Sequence, residues 1–185
     1  PLARLLAFCE EVVERYAVAQ MEQGAHMTSM GESIAGPDVC SPALYRRWAW
    51  VADQRLVRRL AERGIRLAYH ICGDTTRIVG QMVDTGAAVL ELDHKVDLPA
   101  VKAATAGRAT VLGVIDPSGV IARGAPASVV DAVRDELEVL APGGGLILGP
   151  GCALPPETPS ENVHALVEAA HRFGRYSPDG RLLPG

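Results

Sequence analysis

Apolar positions along this chain alternate between helical spacing and short compact runs. Leu2, Leu5, Leu6, Val12, Val13 and Tyr16 recur as one stripe and predict an opening helix that starts at or before Pro1. Residues 25–30 read as a strand, though a polar one. A helix is predicted over 42–63, where Ser41 suits the N-cap, Pro42 the first helical position and Gly64 the residue past the end. A compact strand at 66–72 follows, then a helix over 75–83 ending near Gly86, a strand at 88–92 and a short helix over 98–106. The pattern closes with a strand at 110–114, a helix over 127–140 with Val130, Val133, Leu137 and Leu140 on one face, and a strand at 145–148. Thr158-Pro159-Ser160-Glu161 reads as a capping box opening a last helix, with Val163, Leu166, Val167 and Ala170 inward.

Strands that alternate with helices argue for a parallel sheet. An open doubly wound sheet suits the five strands, and so does part of a (β/α)8 barrel, which closes with eight strands over ~250 residues. Residues 1–176 are expected to form one domain, and 177–185, rich in Pro and Gly, a flexible tail. Either architecture puts chemistry at the carboxyl ends of the strands.

Those ends carry metal-competent residues. In a strand, positions i and i+2 face the same way, so His70 and Cys72 can offer a nitrogen and a sulfur to one point. Cys152 follows another apolar run, between residues that let the chain turn sharply at Gly149-Pro150-Gly151. Three N/S donors with a fourth position open is the arrangement of catalytic zinc. The competing reading is two buried free thiols and a hydrogen-bonded core histidine.

The segments His70-Ile71-Cys72-Gly73-Asp74-Thr75-Thr76, Leu92-Asp93, Gly113-Val114-Ile115-Asp116-Pro117, and Gly151-Cys152 with Leu154 through Asn162 resemble the C-terminal half of the uroporphyrinogen decarboxylase superfamily. The resemblance covers roughly residues 20 to 176. It implies a TIM-type (β/α)8 barrel of which this chain supplies about the last five βα units, with three N-terminal strands absent. Within the superfamily the His-x-Cys…Cys pattern favours the zinc-dependent branch that moves a methyl group from a corrinoid protein to a thiol such as coenzyme M. The decarboxylase branch of porphyrin and haem biosynthesis has His at the position of Cys152 and lacks His-x-Cys. It remains the alternative, as does a non-catalytic barrel relative that binds corrinoid. The resemblance thus implies Zn2+ on His70, Cys72 and Cys152, with Asp93 as an exchangeable fourth ligand. A methylcorrinoid, carried on a partner protein, would be the donor and a small-molecule thiol the acceptor. Asp93 could equally be a helix N-cap or a partner to the ligand histidine. Asp116 is either a substrate-binding carboxylate or the turn former of Asp-Pro-Ser-Gly. Val114 stands where the family usually has Asn. If that Asn holds substrate, a different substrate is implied; if it pins the loop, the metal chemistry survives.

Composition changes little. The chain has 185 residues, four cysteines and a net charge of −4, so neither nucleic acid nor an anionic membrane is an expected partner. No apolar run approaches the ~20 residues of a membrane span. With two cysteines in ligand contexts, a reducing compartment, the cytoplasm, is expected. His26 and Glu32 are weaker substrate-pocket candidates. His94, His164 and His171 read as surface histidines, Cys9 and Cys40 as packing residues, and Trp48 as part of its helix's apolar stripe. Arg46, Arg47, Arg55, Arg58, Arg59 and Arg63 read as a solvated helix face. Gly143-Gly144-Gly145 precedes a strand and is not a phosphate loop.

Overall fold

Short apolar segments pair side by side in chain order: β1 (Thr28–Gly31), β2 (Leu67–Ile71), β3 (Val89–Leu92), β4 (Thr110–Ile115) and β5 (Leu146–Pro150), all parallel. The computed structural model describes residues 1–183. A doubly wound sheet reverses its strand order at a switch point. The order β1-β2-β3-β4-β5 never reverses, so the sheet is an arc of the barrel type. Its helices are α1 (Leu2–Glu22), α2 (Pro42–Arg47), α3 (Ala49–Glu62), α4 (Val79–Asp84), α5 (Leu98–Thr105), α6 (Pro126–Leu140) and α7 (Ser160–Phe173).

The pairing register sorts side chains onto two faces. Met30, Tyr69, Leu90 and Val111 lie in one row, buried beneath the helices. Leu56, Val57 and Leu60 of α3 recur at helical spacing and join that row in one core cluster. On the other face Gly31, His70, Glu91, Leu112 and Ile147 form a row that ends, at Ile147, exposed.

Several sequence expectations need correction. The helix over 42–63 divides at Trp48, whose φ of −122° and ψ of −63° interrupt it. The break lets Tyr45 of α2 and Asp53 of α3 converge on Tyr69, which donates a hydrogen bond to Asp53. The stripe on α1 only partly faces the core: Val13 packs against it and Leu6 is half-buried, but Leu2, Leu5, Val12 and Tyr16 are exposed, while Glu10 and Ala17 are buried. The arginines explain why. Arg55 and Arg59 pair with Glu10, and Arg59 and Arg63 with Glu14, so half of the supposed solvated face clamps α1 onto α3. The capping box does not form, because the Thr158 hydroxyl donates to Pro155 O and no side chain caps α7. That helix buries Asn162, Ala165 and Ala169, leaving Val167 exposed. The expected 75–83 helix begins only at Val79, and β1 begins at Thr28, beyond His26. The tail folds back: Tyr176 bridges Leu182 and its hydroxyl donates to Ala141 O. Residues 184–185 of that expected tail lie outside the described residues. No helix among the described residues is long and apolar enough to cross a membrane.

Candidate metal centre

His70 is the fourth residue of β2 and Cys72 follows the strand, so both project from its carboxyl end. Cys152 follows β5, at the same end of the sheet. The donor atoms of these three residues lie within 4.8 Å of one another. Gly151 makes the approach possible, since a Cβ there would sit 2.6 Å from His94 N. His70 Nδ1 lies 3.0 Å from Glu91 O. A carbonyl only accepts, so Nδ1 carries the proton and the Nε2 lone pair faces Cys72 Sγ, 2.9 Å away.

These donors fit a tetrahedral zinc ion. Bonds of ~2.0–2.3 Å place donors roughly 3.5–3.8 Å apart, so the His70–Cys72 pair need only open by under ~1 Å. The electrostatics agree. Burial pushes the Cys152 thiol up, the neighbouring Cys72 and Asp93 add to this, and the Ala153 N–H opposes it. A cation at that point would offset what raises the Cys152 thiol.

Asp93 is buried but not among the three converging donors. Its Oδ2 accepts from Gly73 N at 2.8 Å and its Oδ1 from Lys95 N at 3.3 Å, and His94 Nδ1 lies 2.8 Å from Oδ1. The carboxylate thus grips the turn that follows Cys72. His94 is exposed, as expected of a surface histidine, and its Nε2 lies 3.9 Å from Asp116 Oδ2. Asp116 Oδ1 accepts from Ser118 N and Gly119 N, both at 2.9 Å, which is the turn-forming role. Burial works to raise the Asp116 carboxyl, but those two amides with His94 and Arg123 outweigh it and hold it below the usual range.

Glu32 follows β1 at the site end, where burial raises its carboxyl. It lines a mostly apolar groove of ≈ 370 Å³ with Leu6, Ile34, Leu44 and Trp48. His26 does not join the site: it precedes β1, is exposed, and lies at the opposite end of the sheet. Val114 has φ +94°, a left-handed conformation rare for a β-branched residue. Asparagine adopts that conformation far more readily, so backbone geometry alone accounts for an Asn at this position, without any substrate contact.

Sequence reading missed Ser33, whose Oγ donates to Cys72 Sγ at 3.1 Å. No motif flags it, because it meets Cys72 only through the β1–β2 pairing. The Glu91 carbonyl was equally invisible, since its role depends on register rather than side chain.

A family profile for uroporphyrinogen decarboxylase (URO-D) matches residues 2–173. The chain belongs to that family. It is 32% identical over 171 residues to the methylcobamide:CoM methyltransferase MtbA of Methanosarcina acetivorans, covering 91% of this chain and 48% of that protein. It is 34% identical over 168 residues to a uroporphyrinogen decarboxylase of Thermus thermophilus, covering 89% of this chain and 47% of the relative. A methyltransferase from Methanosarcina mazei superposes with a TM-score of 0.81 at 28% identity, over 90% of this chain and 48% of that one. The chain therefore spans about half the length of the relatives it matches. The methyltransferases and decarboxylases of this family are enzymes, and the five-stranded arc is part of their barrel.

Proposed function

We propose that this chain carries the metal centre of a methyltransferase that moves a methyl group from a corrinoid carrier to a thiol. The observation that carries this reading is the convergence of two sulfurs and one imidazole at the carboxyl end of the sheet. When bound there, Zn2+ would be formally neutral with two thiolates, and would supply deprotonation of a substrate thiol while leaving its sulfur electron-rich. The Glu91 carbonyl fixes the ring of His70, and Asp93 holds the Gly73 turn so that Cys72 stays aimed at the same point. As an exchangeable fourth ligand, Asp93 would use a lone pair that the Gly73 N–H leaves free. In the reaction an S–CH3 bond forms, the cobalt–carbon bond breaks with its electron pair staying on cobalt, and the thiol proton leaves to solvent. The expected partners are a small thiol and a corrinoid protein. Free cysteines at all four described positions suit the cytoplasm.

The decarboxylase reading has comparable identity behind it, but it gives two sulfurs and an imidazole no task. Metal content and activity of the full-length protein separate the two. About one zinc per chain, with thiol-dependent demethylation of methylcobalamin, supports the proposal. Metal-free protein that releases carbon dioxide from uroporphyrinogen overturns it.

A further inference from the structure

Resting on the metal-site reading above, we propose that Ser33 is a positioning residue that holds Cys72 at the metal through a hydrogen bond to its sulfur. Ser33 opens a short 3-10 turn, Ser33–Ala35, directly after β1. Its hydroxyl caps no helix, for that turn has no side-chain cap. It points instead at Cys72 Sγ, 3.1 Å away and 39 residues later in the chain.

The turn is seated on the backbone that carries the ligand. Glu32 N donates to His70 O at 2.8 Å, so the residue before Ser33 extends the β1–β2 pairing up to the ligand histidine. Ala35 N closes the turn onto Glu32 O at 2.8 Å, and Gly36 N onto Ser33 O at 3.2 Å. Gly36 then packs so tightly that a Cβ would lie 2.8 Å from Cys72 O and 2.9 Å from Ile71 Cγ2. A hydroxyl held on such a frame has little freedom to point elsewhere.

The two sulfurs are served differently. Among the described residues, no side chain outside the three ligands hydrogen-bonds to Cys152, whereas Ser33 does so to Cys72. Cys72 takes its donor from a side chain, so its electron density is under direct sequence control. That hydrogen bond draws density from the sulfur and fixes which lone pair faces the ion, so losing it leaves Cys72 freer to turn away from the metal.

The test uses full-length protein loaded with Co2+ in place of Zn2+. Ser33 is exposed, so Ser33→Ala keeps the fold, with circular dichroism as the check. In Ser33→Ala the thiolate-to-cobalt charge-transfer band is expected to move to longer wavelength at unchanged intensity. The Co2+ and Zn2+ dissociation constants are expected to rise about tenfold. Ser33→Thr, which keeps the hydroxyl, should restore both. An identical band and affinity in Ser33→Ala overturns the role of Ser33 and leaves the metal site standing. Wild-type protein that shows no thiolate–cobalt band overturns the metal site, and this inference with it.

Discussion

At the amino ends of the strands the chain turns through Gly64, Gly86, Gly107 and Gly143-Gly144-Gly145, every one at positive φ. At the carboxyl ends it places Glu32, Cys72, Asp93, Asp116 and Cys152. The amino-end turns end helices: Gly64 N reaches back to Ala61 O and Gly86 N to Val83 O, satisfying carbonyls that would otherwise lose their partners. The carboxyl-end groups hold one another instead, with Asp93 on Gly73 and His94, and Ser33 on Cys72. One end of the sheet closes helices and the other gathers the candidate metal ligands. Substitutions at the two ends should therefore separate cleanly.

The largest effect is expected at the carboxyl end. A Cys72→Ala, Cys152→Ala double variant should lose its zinc and roughly 10³-fold or more in methyl-transfer rate. Its melting temperature should move far less than a core deletion would move it. Metal analysis beside thermal denaturation checks both halves of that statement.

Glu136 tests the division from the helical layer. It is 2% exposed, and neither carboxylate oxygen has a partner among the described residues. Burial pushes its carboxyl from the usual 4.5 up to about 9. An acid whose folded pKa is raised binds more protons folded than unfolded, so stability falls as pH rises from about 4.5 to about 9. Asp53, pushed by burial to about 7, adds to the fall between about 4 and 7. Glu136→Leu should remove its own part, gaining about 2–3 kcal/mol relative to wild type at pH 8 and much less at pH 5. Urea denaturation at the two pH values measures the difference, and an equal gain at both would refute the assignment.

Asp93→Ala sharpens the comparison within the carboxyl end. Loss of the Gly73 and His94 contacts should weaken zinc binding by about 10–100-fold. Titration with a chelator of known affinity reads this directly. Unchanged affinity would mean that the turn after Cys72 is held by other contacts.

The smallest effect belongs to the amino end. Gly86 has φ +86°, and a Cβ there meets only Val57 Cγ1 at an ordinary 3.7 Å. Gly86→Ala should then cost only the left-handed strain, roughly 1–2 kcal/mol. Zinc content and turnover should be unchanged. A drop in either would show that the two ends are coupled.

Much of this division is legible from the residue pattern, because both strand alternation and the His-x-Cys spacing are local. The five βα units and the end of the sheet that carries His70, Cys72 and Cys152 follow from spacing alone. What escaped depends on tertiary choice. The α1 stripe pointed to burial, yet Glu10 and Glu14 meet an arginine ladder 45 or more residues away, which leaves Leu2, Leu5, Val12 and Tyr16 exposed. The capping box and the unbroken 42–63 helix obeyed local propensity, but packing around Tyr69 and Pro155 overruled it. Ser33, the Glu91 carbonyl and the His94 bridge join the site only after the strands are in register. Their roles are set by neighbours that no linear motif records.

Zinc-edge X-ray absorption on the full-length protein, with and without a thiol substrate, reads the ligand set of the proposed centre. Without thiol, two sulfurs, one imidazole nitrogen and one light atom are expected around the metal. Added thiol should raise the sulfur count to three while the light atom leaves. A first coordination sphere that does not change on adding thiol, or one without two protein sulfurs, would contradict it.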